Sequence, residues 1–169
     1  IGHTRWATHG PATEINAHPH LDQAGKIAIA HNGIIENFES IREGLQAEGV
    51  EFRSQTDSEV IAHLIRKEYS GDLFSAVKAA LRQLRGAYAL VVICESNPEE
   101  IVAARHGGPI ILGIGDHEMF ACSDVSAIVE YTRKVVYLGD EEVAWITPEA
   151  YRIERLDGVK VDAAVHTVN

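Results

Sequence analysis

A layered α+β domain is predicted by two features of the sequence. Helical periodicity is confined to the first half, and short β-type runs divided by Gly, Asn, Pro and Asp fill the second. No internal repeat, low-complexity segment or linker separates the halves, so the 169 residues read as one domain, 1–169.

The elements follow in order. Residues 1–25 mix Gly, Pro, Thr, Asn and His without periodicity and predict mostly loop. Ile27-Ala28-Ile29-Ala30-His31 predicts a strand, and Asn32-Gly33 a turn after it. Ile34, Phe38, Ile41 and Leu45 recur at helical spacing, with Gly49 as the terminating glycine. Thr56-Asp57-Ser58-Glu59 has the pattern of a capping box, in which Thr56 caps and Glu59 reaches back. It opens a helix whose Val60, Ile61, Leu64 and Ile65 form one apolar face. A further helix is predicted over about 73–84. Strands are predicted over 88–94, 101–105, 109–113, 119–122, 135–138, 142–146 and 151–153, with a short helix over 125–131 and turns at Gly115-Asp116 and Gly139-Asp140.

Composition excludes several function classes. The formal net charge is −10 and no basic run stands out, which argues against a nucleic-acid partner. No apolar run approaches the roughly 20 residues of a membrane span. Two cysteines do not make a disulfide scaffold, so a reducing, cytoplasmic setting is expected. Cys94 and Cys122 lie in apolar runs without an adjacent base and are expected to be buried core residues rather than reactive thiolates. The chain begins at Ile1 inside a motif-dense stretch and reads as a piece of a longer protein.

Polar functional groups crowd the first 57 residues. Arg5 offers a planar fork that matches a carboxylate, and Asp57 an acceptor for an ammonium; together they suit the two ends of an amino acid. An Asn side-chain amide and a Gly backbone N–H, as at Asn32-Gly33, are materials of an oxyanion hole. Each residue also has a plainer reading. Asn32-Gly33 is a turn, Asp57 sits favourably at a helix start, Arg5 pairs with a surface charge, and Trp6 is core. His18, His20 and His31 invite a metal, but no acidic or Cys ligand recurs at zinc-like spacing, so no metal is expected.

Gly2-His3-Thr4-Arg5-Trp6-Ala7-Thr8-His9-Gly10, Asn16-Ala17-His18-Pro19-His20, His31-Asn32-Gly33-Ile34-Ile35-Glu36-Asn37 and Ser54-Gln55-Thr56-Asp57-Ser58-Glu59 resemble the glutaminase domain of the glutamine–fructose-6-phosphate aminotransferases. That group belongs to the class II glutamine amidotransferases of the N-terminal-nucleophile hydrolase superfamily. Leu84-Arg85-Gly86-Ala87-Tyr88, Ala103-Ala104-Arg105 and Ser123-Asp124-x-x-Ala127 extend the likeness over essentially the whole chain. The resemblance implies an αββα four-layer sandwich lacking its N-terminal elements. It implies that Arg5, helped by Thr8 and His9, binds the α-carboxylate of L-glutamine. Asp57, helped by the Gly33 backbone, would hold the α-amino group. Asn32 and Gly33 would form the oxyanion hole, Trp6 would sit on a closing loop that gates ammonia, and His18 would lie near the site. The family's nucleophile is a cysteine at position one of the mature chain, with its own α-amine as base. That segment is expected to precede Ile1, so the chain alone is expected to be inactive. A sugar-phosphate isomerase domain of the same polypeptide is the implied partner, and a homo-oligomer the implied assembly. The resemblance implies no organic cofactor. Two alternatives remain: the glutaminase domain of another class II enzyme, and a non-catalytic amino-acid-binding domain.

Overall fold

The computed structural model describes residues 1–169. Alternation along the central strands divides the molecule into layers. In β3 (Tyr88–Cys94), Tyr88, Leu90, Val92 and Cys94 face one core, while Ala89 and Val91 face another. In β4 (Asn97–His106), Val102 and Ala104 face the first core and Ile101 and Ala103 the second. These strands centre a seven-stranded antiparallel sheet of order β1-β2-β3-β4-β8-β9-β10. Its other members are β1 (His20–Leu21), β2 (Ile27–Asn32), β8 (Glu142–Ile146), β9 (Tyr151–Arg155) and β10 (Lys160–Val161).

Three helices cover the first face: α1 (Phe38–Ala47), α2 (Glu59–Glu68) and α3 (Leu73–Leu81). Val60, Ile61, Leu64 and Ile65 of α2 and Leu73, Phe74 and Val77 of α3 are all buried there. The second face packs on a four-stranded sheet of order β11-β7-β5-β6, made of β5 (Ile111–Ile114), β6 (Met119–Cys122), β7 (Lys134–Tyr137) and β11 (His166–Thr167). Ile111, Val135 and Ile128 form a small cluster on the outer side of that sheet, beside a three-residue 3-10 helix, Val125–Ala127. The expected layered α+β sandwich is therefore present, with its outermost layer reduced to the segment around 125–132. No helix is long and apolar enough to cross a membrane.

Several local expectations are corrected. The helix expected over 125–131 is only the 3-10 turn, whose start is fixed by Asp124 accepting the Ser126 N–H. The helix expected over 73–84 ends at Leu81 and is capped by Asp72, whose carboxylate accepts the Ser75 N–H. Ile34 lies outside α1 and is exposed; the neighbouring Ile35 takes the buried place. Gly49 does terminate α1, with φ 90°. The capping box is replaced by another arrangement. Glu59 reaches past Thr56 and accepts the backbone N–H groups of Arg53 (2.9 Å) and Ser54 (2.6 Å), the Ser54 hydroxyl, and His63 Nε2 (3.1 Å). The sequence-based reading missed the short strands β1, β10 and β11, each of two residues, because so short a run carries no measurable alternation.

Candidate active site

Three stretches meet at the end of β2. The Asn32-Gly33 step is no hairpin turn, since β2 reaches its neighbour β3 only through all three helices. Gly33 has φ 132°, and a Cβ there would lie 2.2 Å from the Ala87 carbonyl oxygen. Only glycine permits that approach. The strand end is tied further by Ala87 N–H donating to Ile34 O and Glu36 N–H to Arg85 O. His31 lies on the helix-facing side of β2. Its Nε2 donates to Ala87 O at 3.2 Å, so Nδ1 is the acceptor and the buried Ser58 hydroxyl donates to it at 2.7 Å. Burial pushes the His31 imidazole below its ordinary range, which the hydrogen bond to Ala87 O partly offsets. His31 is a neutral strut beneath the Asn32-Gly33 step.

Asp57 is 3% exposed and stands just ahead of α2. Its Oδ2 accepts the Ile35 N–H at 2.7 Å, so it latches the residues after Gly33 to the entrance of α2. The plain helix-start reading is thereby replaced by a tertiary one. Oδ1 is left with His9 Nδ1 at 3.6 Å, and Asp57 also lines the cleft. The segment carrying it is held from both sides. Arg42 of α1 donates to Ser54 O and Thr56 O, and Glu59 holds the Arg53 and Ser54 amides. Burial would raise the Glu59 carboxyl, but hydrogen bonds from His63, Ser54 and the two amides outweigh it and hold it at about 2.

Opposite lies the irregular stretch 3–13. Arg5 occupies the left-handed region at φ 41°, where its N–H donates to His3 Nδ1 at 2.8 Å. Its guanidinium donates to the carbonyls of His9 (2.5 Å), Gly10 (3.4 Å) and Pro11 (3.4 Å). These bonds occupy Nη1 and Nη2 in part and leave Nε without a partner, so donors remain for an anion. Trp6 is 91% exposed and is not core.

Between these stretches opens a cleft of about 480 Å³. Arg5, Trp6, Thr8, His18, Asn32, Gly33 and Asp57 all line it, so seven of the eight residues expected at the site share one wall system. His9 does not; it stands behind Asp57 and packs edge-on against Phe38 at 5.0 Å. Sequence reasoning missed His3, Thr4, Thr56 and Ser58 as lining residues, although all four fall inside the quoted motifs. His18 lies 4.6 Å from both His3 and His20, ring to ring, and neither of its nitrogens has a partner. Burial first, then its histidine neighbours, push it down to about 3, so it is uncharged at neutral pH. His20 Nε2 meets the Thr56 hydroxyl at 3.1 Å, and His31 is committed to Ser58 and Ala87. Neither cysteine lines the cleft. Cys94 is buried in β3; Cys122 is half-buried in β6, where burial raises its thiol.

The chain has known relatives. A chain from Aquifex aeolicus described as glutamine–fructose-6-phosphate aminotransferase (isomerizing) is 49% identical over 165 residues, 98% of this chain and 28% of its own length. A Thermus thermophilus protein of the same description is 52% identical over 158 residues, 94% of this chain and 26% of its own. The chain thus spans little more than a quarter of the relatives it matches. Among solved structures, glutamine phosphoribosylpyrophosphate amidotransferase from B. subtilis superposes with a TM-score of 0.74 at 28% identity, covering 91% of this chain and 34% of that one. A structure described as the allosteric regulatory enzyme of purine biosynthesis gives 0.75 at 30%, with the same coverage. The sandwich is accordingly that of the N-terminal-nucleophile hydrolases. The glutamine amidotransferase domain family matches residues 3–130, which hold the complete cleft wall, and this chain belongs to that family.

Proposed function

We infer that this chain is the glutamine-recognising and oxyanion-stabilising part of a glutaminase domain, in an enzyme that transfers the amide nitrogen of glutamine to fructose 6-phosphate. The observation that carries the reading is the placement of a guanidinium donor, Arg5, and a buried carboxylate, Asp57, on one cleft with the Asn32-Gly33 step between the two loops. The names of relatives at about half identity support the acceptor sugar.

In this reading Arg5 takes the α-carboxylate and Asp57 Oδ1 the α-ammonium, while Oδ2 stays on Ile35 N–H. The side-chain amide stretches toward Asn32 and Gly33, whose N–H groups stabilise the negative charge that develops on its carbonyl oxygen. His18, uncharged, shapes the wall without competing for the carboxylate. Neither Cys94 nor Cys122 lines the cleft, so this reading gives the attacking role to neither of them. Ammonia then passes to a sugar-phosphate isomerase domain.

Glutaminase kinetics on Arg5→Lys and Asp57→Asn in the full-length enzyme test this. A point charge cannot replace a fork, and Asn cannot neutralise an ammonium, so each variant is expected to raise KM for glutamine at least tenfold. Asn keeps the acceptor for Ile35 N–H, so the thermal melt of Asp57→Asn should stay near wild type. A normal KM in both variants would refute the assignment.

A further inference from the structure

Arg5 and Asp57 lie on different loops, and little holds those loops together. No backbone hydrogen bond joins residues 1–17 to 53–58, and residues 3–13 belong to no helix or strand. The His9–Asp57 contact is 3.6 Å, too long for a hydrogen bond. One side chain makes the connection. Asn16, fully buried at the end of a 3-10 turn (Glu14–Asn16), accepts the Gln55 backbone N–H on Oδ1 at 2.9 Å. Its Nδ2 donates to the Gln55 side-chain carbonyl at 3.3 Å and to Pro11 O at 3.0 Å. Pro11 O is also a carbonyl on which the Arg5 guanidinium rests. The links therefore run from the Arg5 guanidinium through Pro11 O to the Asn16 amide and on to Gln55, two residues from Asp57. A primary amide suits this place, because the site demands an acceptor on one side and two donors on the other. Gly10 closes over it: a Cβ there would come within 2.7 Å of Asn16 Nδ2.

We propose that Asn16 is a positioning residue that fixes the separation of Arg5 and Asp57, and so makes the site selective for ligands bearing both an α-carboxylate and an α-ammonium. The proposal rests on the reading of Arg5 and Asp57 given above. Asn16 does not line the cleft. It ties together two loops that share no backbone hydrogen bond.

The test compares kcat/KM for glutamine with that for 4-carbamoylbutanoate, which is glutamine without its α-amino group, in the full-length enzyme. A ligand with one charged end needs only one loop in place, so it is insensitive to the separation. Asn16→Ala is expected to lower the ratio of the two kcat/KM values about tenfold. Asn16→Asp, which keeps the size and the Gln55 N–H acceptor but loses both donors, is expected to act in the same direction and carries the test if the alanine variant does not fold. Gly10→Ala reaches the same amide from outside and should also lower the ratio. Equal losses on both compounds, or an unchanged ratio, would overturn the proposal by making Asn16 a purely structural residue. Asp57→Asn runs alongside, because only glutamine presents an ammonium to it. If it lowers the ratio and the Asn16 variants do not, the positioning role alone fails; if it too leaves the ratio unchanged, the recognition reading fails with it.

Discussion

Replacing Glu59 by Gln isolates the charge that holds the Asp57 segment. The carboxylate is 3% exposed and accepts from two backbone amides, one hydroxyl and one imidazole. A glutamine of the same shape presents one oxygen and one NH₂, so at least one of the Arg53 or Ser54 amides faces a donor instead of an acceptor. The magnitude follows from linkage. The carboxyl is lowered from 4.5 to about 2, which at about 1.4 kcal/mol per pH unit corresponds to about 3 kcal/mol. The sign is that of a depressed carboxylate: its stabilisation is present above pH 4.5 and is lost as the pH falls toward 2. Urea denaturation of this chain and of Glu59→Gln should therefore differ by about 3 kcal/mol near pH 7, with the gap closing between about pH 4.5 and 2. Comparing the two chains at each pH removes the common contribution of His18 and His31, which Glu59 does not perturb. A gap that stays constant down to pH 2, or one below about 1 kcal/mol at pH 7, would refute the claim that an ionised Glu59 holds this segment.

Three further outcomes are expected. In the full-length enzyme Asn32→Ala should lower kcat by about 10²–10³ with a smaller change in KM, and a change confined to KM would leave Asn32 a spacer. Gly33→Ala should be harsher, because its Cβ meets Ala87 O at 2.2 Å, and soluble, fully active Gly33→Ala would contradict the close approach. Incubated alone with glutamine, this chain should release no glutamate; release abolished by Cys94→Ser or Cys122→Ser would show that a thiol of this chain can attack.

What the sequence disclosed and what it concealed divide along a physical line. Strand alternation and helix faces depend on near neighbours, so β3, β6 and β8 and the buried face of α2 could be read directly. The motif residues converge on one cleft because most sit on loops entering or leaving the same strand and helix ends. Contacts between distant stretches left no local signal. Arg42 donates to Ser54 O and Thr56 O, contacts that no local pattern around it marks. Glu59 carried the right residue type for a capping box, but its partners are Arg53 and Ser54. His9 belonged to the right motif, but the backbone path from Arg5 to Pro11 turns it behind Asp57. The apolar character of Trp6 suggested core, whereas its position on an irregular stretch leaves it in solvent.

The clasp between residues 34–36 and 85–87 bears on how the domain assembles. Ala87 N–H to Ile34 O and Glu36 N–H to Arg85 O join segments separated by about fifty residues, with all of α1, α2 and α3 in the intervening loop. Closing a loop of that length costs chain entropy before the contacts it permits are gained. The conformation of Gly33 depends on Ala87, so the Asn32-Gly33 step cannot reach this shape while the three helices remain unpacked. The shape of the site therefore depends on contacts that span all three helices. A partly folded chain, even one with native helices, would not present the assembled site to glutamine.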